Sequence, residues 1–346
     1  VLHAASVGVN AIGRGLASVR GLCSKHAIKQ MDRLLSNPAY HPFHVAEVFV
    51  PFLLKGRTEA RINLDWTDFA HEKQDTLTAA LQTEHGRSTL LLWKTVSTVG
   101  LKENRNRYED ELLVRLAEVT PKGVTLTMVA DRGFGDTNLY TFLEEFGFNY
   151  IIRFRSNIFV ADGKGIQKKA KDWLGQKGKM YLFRDARVTT KEIRVPTVLL
   201  VQDPDMADPW CIVARDSSLT GAKIKEIYGK RFQIEESFRD LKDDRFGLGL
   251  KEVQVKRPER RDCLILLAVL AVELMRMLGE VGEEIGMDRE MKTNTSKKRQ
   301  YSLIRQGRMW FDLLPTMPER KLTPFMTRFG EKIMQEGIFK YLLELK

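Results

Sequence analysis

At 346 residues the chain exceeds one ordinary domain and suits two or three. A composition of 43% hydrophobic and 29% charged residues supplies a sizeable core and excludes global disorder. The net charge of +11, with a pI near 9.5, argues for a polyanionic partner, since each neutralised phosphate releases condensed counterions, although charge alone does not single out nucleic acid.

Residues 1–57 read as helical. The stretch from Lys25 to Leu35 places Ile28, Met31, Leu34 and Leu35 on one face and basic residues on the other. That pattern fits a surface helix and also fits a helix that lays its basic face on DNA. From residue 58 the period changes. Thr58–Trp66, Thr76–Thr83 and Ser88–Val96 read as strands, with His85-Gly86-Arg87 turning the second into the third. A helix is predicted over Asn104–Val119, a buried strand over Val124–Ala130, a helix over Asn138–Phe146 and a strand over Tyr150–Phe154. The order βββαβαβ fits a ribonuclease-H-like α/β core with a mixed five-stranded sheet, and order alone fits other α/β folds too.

Residues 155–213 break this rhythm with short β-like segments. Between 150 and 195 there are twelve Lys/Arg against four Asp/Glu, a net +8, which nominates Lys168, Lys169 and Lys171 as phosphate contacts. A helix then spans Leu219 to Leu241, and an apolar helix runs from about Arg261 to Leu278. The remainder reads as helical and basic, with six Lys/Arg and no acid over 291–308. The longest uninterrupted apolar run, Cys263 to Val272, is ten residues, where a bilayer span needs roughly 20. Cys23, Cys211 and Cys263 lie far apart, form neither a metal-ligand pair nor a disulfide framework, and suit a reducing cytoplasm.

Two carboxylates end predicted strands: Asp65 in Ile62-Asn63-Leu64-Asp65-Trp66-Thr67-Asp68 and Asp131 in Met128-Val129-Ala130-Asp131-Arg132-Gly133. An acid there is costly to bury unless it meets a cation or a donor. In a ribonuclease-H-like sheet the two strands are parallel neighbours, so both acids emerge at one edge. Each acid also suits a cap on the loop that follows it. Further on, Tyr228, Arg231, Glu235 and Lys242 fall within a sector of roughly 60° on one helix face, with Ile234, Phe238 and Leu241 as an apolar stripe beside them. Such a face is either a salt-bridge ladder or a site edge. Three carboxylates suit two Mg²⁺ ions, with Mn²⁺ as a substitute, and the Tyr, Arg and Lys would then hold phosphates. Asp136 reads as a helix cap, Glu236 points away from Glu235, and His26, His41, His44, His71 and His85 lack catalytic spacing. No Walker-A sequence occurs, so no nucleotide cofactor is implied.

The pattern Tyr228-x2-Arg231-x3-Glu235-x6-Lys242 resembles the signature of insertion sequence 4 family transposases. The wording from Lys230 through Lys242, and on through Phe246-Gly247-Leu248-Gly249-Leu250, is close to that of the tetracycline-resistance transposon (insertion sequence 10-like) group. Leu64-Asp65-Trp66-Thr67-Asp68 and Val129-Ala130-Asp131-Arg132-Gly133-Phe134 resemble the family's two upstream acidic blocks, and Lys25-His26-Ala27-Ile28-Lys29 with Asp32-Arg33-Leu34-Leu35 resembles its N-terminal region.

The resemblance implies Asp65, Asp131 and Glu235 as a metal-binding catalytic triad and a β-rich insertion between the second and third acids. It nominates Trp210, in Asp208-Pro209-Trp210-Cys211, as the ring that stacks on a flipped base, with Trp173 as an alternative and a plain core strand as the bland one. Arg132 departs from the small residue common there in relatives. The family's proteins usually begin further upstream, so part of an end-recognition domain is expected to be missing. The implied organisation is a helical DNA-binding region at 1–57, a catalytic core at 58–154 and 214–280, the insertion at 155–213, and a helical region for DNA contacts or dimerisation at 281–346. The implied activity is bacterial, cytoplasmic, nucleoid-associated cut-and-paste transposition. It acts on terminal inverted repeats and target DNA through a hairpin, with a dimer holding two ends and no membrane involved. The alternatives are a nuclease on the same fold and a domesticated, non-catalytic DNA-binding protein.

Overall fold

A computed structural model describes residues 1–335 apart from 176, 244–246 and 294. Phe246 of the extended motif and the end of the C-terminal region therefore lie outside the described residues. Three helices open the chain: α1 (Val9–Arg20), α2 (Ser24–Leu35) and α3 (Pro42–Leu53). In α2 the buried residues are Ala27, Met31 and Leu35, while Lys25, His26, Lys29 and Arg33 face solvent. Gly13 lets α1 close on α2, since a Cβ there would stand 2.6 Å from the Ile28 side chain.

The expected βββαβαβ order follows as β1 (Glu59–Phe69), β2 (Gln74–Leu81), β3 (Thr89–Ser97), α4 (Thr98–Val119), β4 (Thr125–Ala130), α5 (Thr137–Glu145) and β5 (Asn149–Phe154). β1 pairs with β4, and β4 with β5, in parallel; β1–β2 and β2–β3 are antiparallel. Side-chain alternation assigns the faces. Met128, Ala130 and Ile152 pack with Leu112 and Leu116 of α4 and Leu143 of α5. Val129 and Ile151 turn the other way, onto the helix that follows the last strand.

The sheet does not stop at five strands. It continues through β6 (Phe159–Ala161), β7 (Gln167–Lys169), α6 (Ala170–Leu174), β8 (Met180–Val188), β9 (Ile193–Val201) and β10 (Trp210–Ala214). The spatial order is β3-β2-β1-β4-β5-β10-β9-β8-β6-β7. β10 pairs antiparallel with β5, Cys211 opposite Phe154, and so satisfies backbone groups that a five-stranded sheet would leave at an edge. The β-rich segment thus grows from the core sheet.

The helix expected over Leu219–Leu241 is two helices. α7 (Gly221–Gly229) and α8 (Gln233–Lys242) are joined by a 3-10 turn at Lys230–Phe232. Thr220 starts α7 by accepting a hydrogen bond from the Lys223 amide at 3.2 Å. The expected apolar helix is α9 (Pro258–Glu284), longer at both ends, followed by α10 (Leu303–Leu313) and α11 (Glu319–Gln335). Two glycines seat α10 on α9: a Cβ on Gly307 would lie 1.7 Å from the Met275 carbonyl oxygen, and one on Gly279 would lie 2.1 Å from that of Leu303. Among the described residues no helix is long and apolar enough to cross a membrane. A mixed sheet covered by helices on both faces, with helical regions before and after it, is a ribonuclease-H-like fold with helical extensions.

Candidate active site

The β1–β4 ladder ends at the pair Leu64–Ala130, so Asp65 and Asp131 are the next residues on two adjacent parallel strands. Neither carboxylate dangles. Asp65 Oδ1 accepts a hydrogen bond from the Trp66 amide at 2.9 Å, and Asp131 Oδ1 accepts one from the Gly133 amide at 2.8 Å. Both acids therefore brace their own chain as well as lining the space beyond it. β1 itself runs on to Phe69, past the predicted end, because β2 keeps pairing with it after β4 has stopped.

α8 is fastened over this edge. Its apolar stripe, Ile234, Phe238 and Leu241, enters the core formed with α9. Its polar side is riveted to the β2–β3 hairpin. Ser237 Oγ accepts from the Ser88 amide and donates to the Ser88 carbonyl, both at 2.8 Å. Gln233 exchanges two hydrogen bonds with the Thr83 backbone. Arg87 Nε donates to Asp240 at 2.7 Å. With both sides of the helix held, Glu235 is aimed toward β1.

An open cleft of about 520 Å³ is lined by Asp65, Asp131, Arg231, Glu235, Lys242 and Lys251 together with neighbours on β1 and α8. The Arg231 side chain, only 8% exposed, spans two of the acids: Nη2 donates to Glu235 at 2.6 Å and Nη1 to Asp65 at 3.3 Å. Burial raises the Asp65 carboxyl to about 6; Arg231 opposes the rise, and the nearby Asp131 and Glu235 charges add to it. Lys242 reaches back to β1, donating to Thr67 Oγ1 at 2.9 Å with its ammonium 4.6 Å from the centre of the Phe69 ring. Burial pulls the Lys242 pKa down, against the pull of Asp68.

Not every nominated residue joins this cleft. The single-face expectation for Tyr228 assumed an unbroken helix, and the 3-10 turn adds about 20° at each of its residues. Tyr228 is instead buried under the sheet, where its ring meets the edge of Trp210 at 4.8 Å. Trp210 starts β10, half-buried against that ring, and does not line the cleft. Trp173 packs on Phe183 and donates to the Val160 carbonyl. Lys168 and Lys169 lie on β7, the far edge strand of the sheet, and Lys171 is in the first turn of α6; Lys168 and Lys171 are exposed and Lys169 is half-buried. Asp136 caps α5 as expected, accepting from the Asn138 amide at 3.0 Å. Glu236 turns away from Glu235 to Arg239 and Arg87.

Sequence reasoning passed over Lys251, which lines the cleft, and the pair Arg105 and Glu109 on α4, whose four-residue spacing was its only signal.

The donor chemistry of the cleft suits a hard divalent cation, because three carboxylates and open water access are what such an ion takes. The carboxylates do not converge as they stand, with Arg231 holding two of them, and among the described residues no three acidic, His or Cys side chains meet as a ligand group. Glu235 is half-exposed, so a cation reaches its carboxylate from solvent, while its partner Arg231 is buried.

A ribonuclease-H-like sheet whose two central parallel strands deliver aspartates to one edge, faced by a glutamate from a helix, fits a core of the nuclease and transposase class. Residues 61–274 match the transposase DDE domain, and the chain belongs to that family. A comparison with curated proteins returned no match.

Proposed function

We propose that this protein is a cut-and-paste DNA transposase of the insertion sequence 4 family, near its insertion sequence 10-like group, acting on double-stranded DNA in the bacterial cytoplasm. The observation that carries this reading is the meeting of Asp65, Asp131 and Glu235 in one cleft alongside Arg231 and Lys242. The spacing of Tyr228, Arg231, Glu235 and Lys242 supports the family assignment.

Asp65, Asp131 and Glu235 would hold Mg²⁺ or Mn²⁺, and three carboxylates suit two such ions. When bound, such a pair supplies Lewis acidity and a more acidic water for in-line phosphoryl displacement. The chain's own residues do the rest. Arg231, released from the acids, offers its guanidinium to the scissile phosphate. Lys242, tethered by Thr67 over Phe69, is a fixed positive charge for the adjoining phosphate. Hydrolysis at the element end frees a 3′-hydroxyl. Attack of that hydroxyl on the opposite-strand phosphodiester forms a hairpin and expels the flanking strand's 3′-oxygen; water reopens the hairpin, and the regenerated 3′-hydroxyl then attacks a target phosphodiester and displaces its 3′-oxygen. Every step is a displacement at phosphorus, so one cleft serves all of them.

The exposed basic face of α2 and the basic stretch 291–308 are assigned to DNA, the C-terminal helices also to pairing two protomers, and Trp210, which rests on the buried Tyr228, to the DNA end. Residues 1–57, 58–154 with 214–280, 155–213 and 281–346 are the corresponding functional regions. A labelled DNA end carrying the inverted repeats that flank the gene, incubated with protein, Mg²⁺ and a supercoiled plasmid, is expected to yield plasmid-joined product. Cleaved ends without joining would mean a nuclease, and metal-independent binding without cleavage would mean a domesticated DNA-binding protein.

Charge reversal at Lys168, Lys169 and Lys171 is expected to weaken DNA binding and to flatten the dependence of log affinity on log salt by about 0.9 per lost phosphate contact. An unchanged slope in a filter-binding titration removes β7 and α6 from the DNA surface.

A further inference from the structure

Arg105 and Glu109 lie one turn apart on α4, outside the cleft. The Glu109 side chain is only 8% exposed, and its Oε1 accepts two hydrogen bonds at 2.8 Å: one from Arg105 Nε and one from the Trp66 indole. The Arg105 guanidinium lies between two aromatic rings, 5.6 Å from the centre of Trp66 and 5.5 Å from that of Phe134. A Cβ on Gly133 would stand 3.3 Å from Arg105 Nη2. One side chain thus touches the residue that follows Asp65 and the turn that follows Asp131. Those same segments supply the backbone amides, of Trp66 and Gly133, that hold the two carboxylates.

A buried carboxylate is costly, and well-packed apolar side chains would fill the same space at least as stably. An ordinary (i, i+4) ion pair on a helix also needs no aromatic sandwich and no indole donor. What the charged arrangement adds is direction: the indole is fixed by one hydrogen bond, and the end of β1 and the turn after β4 are linked through one planar cation. We infer that Arg105, oriented by Glu109, is a positioning residue that sets the spacing and orientation of Asp65 and Asp131 from behind the sheet edge. The inference rests on the proposed role of those aspartates. Displacements of about 1 Å at reacting groups cost on the order of 10²-fold in rate, so a brace shared by the two acids acts on chemistry more than on DNA affinity.

The test uses the full chain with Arg105→Ala, Glu109→Ala and Glu109→Gln. The kcat of metal-dependent end cleavage is expected to fall roughly 10–100-fold in Arg105→Ala, with KM for DNA within about threefold, the range that separates a chemical effect from a binding effect. Glu109→Gln keeps an oxygen acceptor for the Trp66 indole and is expected to recover part of the loss seen in Glu109→Ala. Two further readouts do not require cleavage: the affinity for Mn²⁺ alone, and the ¹⁵N–H resonance of the Trp66 indole, assigned with Trp66→Phe. Arg105→Ala is expected to weaken the first and shift the second. If both stay at wild-type values, the positioning role is overturned whatever the enzyme does. If both change while wild type cleaves no DNA, the brace stands and the transposase reading falls. Should Arg105→Ala fail to fold, Glu109→Gln against wild type carries the same readouts, and an unmoved indole resonance there overturns the role.

Discussion

Glu235→Gln is expected to lower metal-dependent cleavage at the element end by on the order of 10³-fold, the loss typical of removing one electrostatic stabiliser from a reacting centre, while folding and DNA binding stay close to wild type. The separation follows from the place of Glu235. Its side chain is half-exposed, and its only hydrogen bond among the described residues comes from Arg231, four residues earlier, at 2.6 Å. A glutamine keeps the shape and an oxygen acceptor for that guanidinium, so the buried Arg231 keeps a hydrogen-bond partner there and its ion pair with Asp65. The lost charge matters only where a cation and a phosphate meet. Glu236→Gln is the internal control. It sits on the same helix, faces Arg87 and Arg239, and is expected to cleave at the wild-type rate. Gel-resolved nicking of an end-labelled substrate, with thermal melting and filter binding alongside, reads all three quantities. Equal cleavage by Glu235→Gln and wild type removes Glu235 from the chemistry and with it the three-carboxylate site.

Much of this arrangement was legible because the residues that make it obey local rules. Val124–Ala130 is a short, largely apolar run that suits a buried strand, and an aspartate directly after it is conspicuous. The first acid followed from the same logic, and adjacency of the two came from the βββαβαβ order. The 3-10 turn at Lys230–Phe232 was not legible: its residues are compatible with an α-helix, and the break arises where α7 packs under β4 and β5 while α8 must swing toward the β2–β3 hairpin. That change of direction is what buries Tyr228 and leaves Glu235 in the cleft. The continuation of the sheet into β6–β10 was equally hidden, since strand pairing across fifty residues is decided by backbone hydrogen bonds that no short window contains. Nor does periodicity show that one guanidinium on α4 reaches the segments that follow both aspartates.

Affinity for Mn²⁺ in the absence of DNA is expected to be flat in pH near neutrality and to fall about tenfold per pH unit below about 6, with one proton taken up for each ion released. The group responsible is Asp65, whose carboxyl is lifted from 3.8 to about 6 first of all by burial. Arg231 pulls in the opposite direction, Asp131 and Glu235 push the value up, and the Trp66 amide pulls it down. A folded-state value above the unfolded one means that the Asp65 contribution to stability is complete below pH 3.8 and is lost as the pH rises through about 6. At neutral pH the metal-free fold therefore carries an unfavourably placed negative charge, and a bound cation relieves it. Two variants separate Asp65 from other titrating groups. Asp65→Asn is expected to bind Mn²⁺ weakly and without a break near pH 6. Arg231→Gln removes the cation that holds the Asp65 value down, so its break is expected at higher pH than in wild type. Paramagnetic resonance of free Mn²⁺, titrated at constant ionic strength from pH 5 to 7.5, gives the affinities directly. A wild-type affinity that does not change across that interval would mean that Asp65 keeps its charge throughout, and that Arg231 compensates its burial in full.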